Sequence, residues 1–73
     1  MDLTAVTLTE LRYLLAVAET GHFGRAAARC FVTQPTLSVQ LKKLEENLGH
    51  RLVERGTKAA RLTPMGELVA QHA

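Results

Sequence analysis

The sequence holds a single cysteine and no tryptophan, and aromatic residues make up only 4% of it. One cysteine excludes an internal disulfide and any multi-cysteine metal framework. So few aromatics argue against a base-stacking platform for RNA or single strands. No apolar run approaches the roughly 20 residues that a membrane span needs. The opening MDLTAVTLTELRYLL has neither a basic n-region nor a small-residue cleavage site, so it does not read as a signal peptide. The expected location is the cytoplasm, with no membrane partner. There are no repeats, low-complexity stretches or flexible linkers. His22, His50 and His72 have no ligand spacing, so neither a metal nor a cofactor is expected. The chain also lacks G-x-S-x-G, H-E-x-x-H, a phosphate-binding glycine loop and a credible paired acid and base. It does not read as an enzyme.

What is present fits one small domain. The chain has 73 residues, 47% of them hydrophobic. A chain of this size buries only about 60% of the surface it exposes when unfolded. The net charge of +2 is unevenly spread. Between Arg25 and Arg61 lie eight basic and three acidic residues, whereas the rest of the chain has one basic residue against four acidic ones. A basic middle points to a polyanionic partner. On charge alone, a merely solvated polar face explains it equally well.

The segment TLTELRYLLAVAETG predicts a helix over residues 8–20. Leu8, Leu11, Leu14, Leu15 and Ala18 recur at helical spacing as an apolar stripe. Thr7 and Glu10 fit a capping box, and Gly21 is placed to end the helix in a left-handed turn. The short, alanine-rich FGRAAARCF follows, with Phe23, Ala26, Ala27 and Cys30 able to line an inward face. Cys30 reads as a buried, inert thiol. Phe31-Val32-Thr33 breaks the pattern, Thr33 is a good N-cap, and Pro35 falls in the first turn of the next helix, where its missing N–H costs nothing.

That next segment, QPTLSVQLKKLEENLG, carries the most information. Leu37, Leu41, Leu44 and Leu48 recur at i, i+4, i+7 and i+11, which makes one narrow buried stripe. The opposite face carries Pro35, Ser38, Val39 and Lys42, flanked by Thr36 and Lys43, with Glu46 toward the far end. It is small, hydroxylated, basic and slightly apolar. Gly49 suits the C-terminal stop. Residues 52–55 and 61–63 then read as two short strands around a turn at 56–60. A lone two-stranded ribbon is marginal in water, so it must pack on the helices. Thr63-Pro64 opens a last helix, with Met65, Leu68, Val69 and His72 on one side. Its apolar stripe runs to the end of the sequence, which suggests a helix cut short or in need of a partner.

Helix, short helix, tight turn, capped helix and basic ribbon describe a mostly α winged helix-turn-helix: a three-helix core, a two-stranded β wing and the start of a C-terminal helix. Ala27, Val32 and Leu37 follow at five-residue steps, a rhythm suited to packing two helices at a steep angle. Phe31 stands where many such turns use glycine. The segment AAARCFVTQPTLSVQLKKLEENLGHRLVERGTKAARLTPMGE resembles the N-terminal DNA-binding region of LysR-type transcriptional regulators. HFGRAAARCF, with its cysteine, is similar to the peroxide-sensing OxyR-like branch, linked to the oxidative stress response. The resemblance implies a longer regulator with an effector-sensing domain. It divides the chain into a winged helix over 1–63 and, over 64–73, the start of a dimerising linker helix. It further implies a homodimer, or a homotetramer in a full-length parent, assembled through that helix from near Pro64. The peroxide-reactive thiols of that branch belong to the sensing domain, not to the position of Cys30.

The expected DNA-contacting residues divide by element. Thr33, Gln34, Pro35, Thr36 and Ser38 sit at the start of the recognition helix, where hydroxyls and exposed amides suit phosphate oxygens. Gln34 can pair with adenine, and Pro35 and Val39 can touch thymine methyls. Many family members have a basic residue at the position of Val39, so valine favours an apolar contact over a guanine one. Lys42 and Lys43 reach phosphates or base edges. On the wing, Arg55 is the first choice for a minor groove, with Thr57, Lys58 and Arg61 decorating the ribbon. Arg25 is a phosphate contact. Arg12, Arg29 and Arg51 read as surface residues or local ion pairs. The partner is therefore double-stranded DNA. The alternative is a winged-helix protein-interaction module, which requires large apolar anchors on the third helix.

Overall fold

The computed structural model describes residues 7–55 and 60–71, Arg55 by its backbone alone. The order is α1 (Leu8–Thr20), α2 (Phe23–Arg29), α3 (Gln34–Leu48), β1 (Val53–Arg55), β2 (Ala60–Leu62) and α4 (Pro64–Gln71). The two strands form one antiparallel hairpin that pairs Val53 with Leu62, Glu54 with Arg61 and Arg55 with Ala60. The expected helix-turn-helix with a β wing and a further helix is present. No helix among the described residues is long and apolar enough to cross a membrane.

Local chemistry sets the helix ends. In α1 the Thr7 hydroxyl accepts from the Glu10 N–H at 3.1 Å and the Glu10 carboxylate accepts from the Thr7 N–H at 2.9 Å, a complete capping box. Gly21 and Gly49 end α1 and α3 in the left-handed conformation, with φ of 66° and 70°. Phe31, in the turn between α2 and α3, takes the same conformation at φ 59° while its side chain is 94% exposed. A residue with a Cβ is strained there.

The core joins Leu14 and Val17 of α1, Ala26 and Ala27 of α2, Leu37, Leu41 and Leu44 of α3, Leu52, Val53, and Val69 of α4. The inward side of α1 is rotated from the expected stripe. Leu8 is 75% exposed and Ala18 is exposed, while Glu10, Leu14, Ala16 and Val17 are buried. Leucine frequency misplaces this face because its first member is a carboxylate, held inward by the capping box. On α4, Gly66 and Val69 are buried and Leu68 is not. A Cβ on Gly66 would overlap the Leu52 carbonyl oxygen, so the bare glycine side is the one that meets the wing. His72 lies outside the described residues. Cys30 is half-buried at the C-cap of α2 and not enclosed, at the rim of a shallow hollow lined by Arg12, Leu15, Ala16, Glu19 and Arg29.

The strand boundaries differ slightly from those expected. Ala60 belongs to β2, not to the turn, and its N–H donates to the Gly21 carbonyl at 2.9 Å. Leu52 and Thr63 stand just beyond the last ladder pair and share one backbone bond, while the Leu52 N–H turns to a side chain. The N–H groups of Leu52 and Val53 donate to the Glu45 carboxylate at 2.8 and 3.1 Å. The Thr63 N–H donates to the Leu52 carbonyl at 2.9 Å and its hydroxyl to the Arg51 carbonyl at 2.6 Å. The same hydroxyl accepts from the Gly66 N–H at 3.0 Å and so caps α4.

Two stability predictions follow from this backbone geometry. Gly66→Ala should destabilise by about 3 kcal/mol, at the upper end for overpacking because the obstacle is backbone; urea or thermal unfolding measures it. Phe31→Gly should stabilise by about 0.5–1 kcal/mol, since it relieves the left-handed backbone and gives up no buried contact; an unchanged or lower midpoint contradicts this.

Candidate nucleic-acid interface

The face of α3 that points away from the core is set by its apolar stripe. Leu37, Leu41 and Leu44 are fully buried, so the helix has no freedom to rotate about its axis. Thr33, Gln34, Pro35, Thr36, Val39, Lys42 and Lys43 are exposed as a consequence, and Ser38 is partly exposed. Leu48 is only half-buried, which marks where the helix leaves the core.

At the N-terminal end, the Thr33 hydroxyl accepts from the Thr36 N–H at 3.3 Å and donates to the Thr36 hydroxyl at 2.9 Å. Thr33 is thus the cap, and Thr36 keeps its own O–H as a donor for an outside acceptor. Pro35, Thr36, Val39 and Gln40 line a shallow, mainly apolar hollow of about 280 Å³. Ser38 and Lys42 begin a second hollow, of about 530 Å³, that runs past Glu45 and Glu46 to Gly49, His50 and Arg51. The charge along the helix is therefore graded. Hydroxyls and an amide occupy its first turn, lysines its middle and carboxylates its last turns.

Arg25 is exposed in the first turns of α2, whose N-cap is His22. The His22 Nδ1 accepts from the Arg25 N–H at 3.2 Å. Gly24 stands close to Gln34 of α3: a Cβ built on it would lie 3.6 Å from the Gln34 Oε1. The starts of α2 and α3 thus converge, and Arg25 belongs to the same end of the molecule as Thr33–Thr36. His22 and Gly24 were not expected here. The only available signals were a histidine just ahead of the short helix and a glycine inside it, and neither is specific.

Thr57 and Lys58 lie outside the described residues, and so does the side chain of Arg55. Arg61 is exposed, opposite Glu54 in the ladder, and shares an open groove with Glu54 and Glu67. The structure brings Arg61 toward carboxylates and does not join it to the α3 face. Of the other arginines, Arg29 forms an ion pair with Glu19 at 3.4 Å, as its reading as a local pair expected. Arg12 and Arg51 are exposed. Among the described residues no group of three or more His, Cys, Asp or Glu could hold a metal ion.

Comparison with known proteins gives this arrangement a context. Residues 8–67 match the model of the bacterial regulatory helix-turn-helix protein, lysR family. A hydrogen peroxide-inducible genes activator of Pectobacterium carotovorum subsp. carotovorum is 46% identical over 68 residues, covering 93% of this chain and 22% of that protein. The chain thus spans under a quarter of the length of this curated relative. A full-length OxyR variant from Pseudomonas aeruginosa superposes with a TM-score of 0.86 and 57% identity, over 92% of this chain and 23% of that one. The BenM DNA-binding domain, solved in complex with its benA site 1 DNA, superposes with a TM-score of 0.85 and 42% identity, over 92% of this chain and 75% of that one. As a prediction, Glu10→Ala should cost about 1 kcal/mol or more by removing the acceptor of the Thr7 N–H, read by chemical unfolding. The winged helix, the outward ridge on α3 and the match over residues 8–67 together place this chain in the LysR family of bacterial regulatory helix-turn-helix proteins.

Proposed function

We propose that this chain is a sequence-specific double-stranded DNA-binding domain of a transcriptional regulator, with α3 in the major groove. The observation that carries this reading is the outward ridge of α3. It is held in place by three fully buried leucines, and solved relatives of the same fold are bound to DNA. In this reading, Thr36 and Ser38 donate to phosphates or base edges, assisted by the positive end of the helix. Gln34 pairs with an adenine. The hollow between Pro35, Thr36 and Val39 takes a thymine methyl. Lys42, Lys43 and Arg25 neutralise phosphates. Arg55, Thr57 and Lys58 bring the wing to the backbone or minor groove, and Arg61 supplies at most a phosphate contact. The carboxylates of the last turns of α3 confine the footprint to the helix up to Lys43.

Residues 1–63 form the reading unit in this proposal, and α4 is the root of a dimerising helix. A two-fold dimer would hold two recognition helices about 34 Å apart, over an interrupted inverted repeat. The likeness to OxyR supports a parent regulator of the oxidative stress response, acting in the cytoplasm and without catalysis of its own. The rival protein-interaction module has little to grip on α3, where Val39 is the one large hydrophobic side chain that is exposed.

Selection of duplexes from a random pool tests the reading and returns the half-site. On that half-site, Gln34→Ala should cost about 1–3 kcal/mol and relax the preference at one base. Lys42→Ala should weaken all duplexes alike and lower the salt slope by about one unit. A domain that enriches no sequence, and associates with no duplex even in dilute buffer, is not a DNA reader.

A further inference from the structure

One residue governs both sides of the turn by which the chain leaves α3. The Glu45 carbonyl accepts from the N–H groups of Gly49 and His50, at 2.9 and 3.2 Å, and so ends the helix. Gly49, in the left-handed conformation, reverses the chain. The Glu45 side chain then meets the returning segment. Its Oε2 accepts from the Leu52 N–H at 2.8 Å and from the Val53 N–H at 3.1 Å. Leu52 and Val53 are fully buried, so these two N–H groups have no water to turn to. Val53 is the first residue of β1. Among the described residues, the hydrogen bonds that join this end of the wing to α3 all end on Glu45. The other ties of the ribbon go elsewhere. Ala60 donates to the Gly21 carbonyl at the end of α1, and Thr63 joins the Arg51 carbonyl to the start of α4. Bonds from N–H groups to a carboxylate are shorter and stronger than those between neutral groups, so this contact fixes direction as well as distance.

We propose that Glu45 is a positioning residue for the wing: by holding the Leu52 and Val53 N–H groups on one carboxylate oxygen, it sets the angle between the ribbon and α3, and so where the wing meets DNA relative to the base pairs that α3 reads. Glu45 acts through the wing and touches no nucleotide. The inference rests on the DNA-binding reading. It adds to that reading a determinant which charge alone conceals, a carboxylate on the reading helix that favours binding.

The test compares Glu45→Gln with Glu45→Ala. Both remove the charge, so any electrostatic gain toward DNA is common to them, and only Gln keeps an oxygen acceptor. Circular dichroism checks the fold. The amide proton resonances of Leu52 and Val53 should move upfield in Glu45→Ala and stay near their wild-type positions in Glu45→Gln. Affinity is then measured for two duplexes: the selected half-site with its flank on the wing side, and the same half-site trimmed of that flank. In the wild type the flank should add about tenfold in affinity. Glu45→Gln should keep this gain. Glu45→Ala should lose most of it, while its ranking of single-base variants of the trimmed site stays that of the wild type. Glu45→Asp keeps the charge and withdraws the oxygen by one methylene; it should behave as Glu45→Ala and takes its place if that variant does not fold. Unmoved amides in Glu45→Ala, a flank gain equal to that of the wild type, or an equal loss in Glu45→Gln would each overturn the assignment and leave DNA binding intact. A wild-type domain that binds the duplex but gains nothing from the flank removes the wing from DNA reading, and this inference with it. One that binds no duplex overturns both readings.

Discussion

The burial of Leu37, Leu41 and Leu44 is the constraint on which the rest of this structure turns. Three leucines at i, i+4 and i+7 can enter one core only if the helix holds a single rotation about its own axis. Everything said of the outer surface of α3 follows from that. Pro35, Thr36, Val39 and Lys42 are outward because the leucines are inward, and no separate device is needed to present them. The hydroxyl-rich start of the helix is likewise fixed by Thr33, whose cap anchors the first turn before any ligand arrives.

Much of this was legible in the residues because it depends on local rules. The α3 stripe, the caps at Thr7, Thr33 and Thr63, and the stops at Gly21 and Gly49 all need only near neighbours in sequence, and all stand as expected. The inward faces of α1 and α4 were misjudged for a shared reason. Apolar spacing assigns Leu8 and Leu68 to the core, but what enters is decided by a carboxylate that bonds inward in one case and by a missing Cβ in the other. Neither is visible to a count of leucines.

The candidate interface divides in the same way. Residues 33–43 are placed by one helix, and periodicity suffices for them. The approach of Gly24 to Gln34 is tertiary, since it depends on how α2 crosses the start of α3. Arg61 lies on the wing, where its place in the second strand put it, and the ladder adds that it stands opposite Glu54. A strand residue keeps its partner across the ribbon whatever its formal charge suggests, and that partner must be known before a phosphate role is assigned.

The junction at Thr63 has a mechanical consequence. One side chain donates to the chain before β1 and caps the helix after β2, while Gly66 lets α4 press directly on the Leu52 backbone. Leu52 is in turn tied to the last turns of α3 through Glu45. No hinge separates the two helices along this path. A torque applied to α4 would be delivered to α3 as a rotation of the whole domain and would not be absorbed as local bending. In the proposed dimer, the angle and separation of the two domains would be set by how their α4 helices are held, and each α4 would act as a lever on its own reading head.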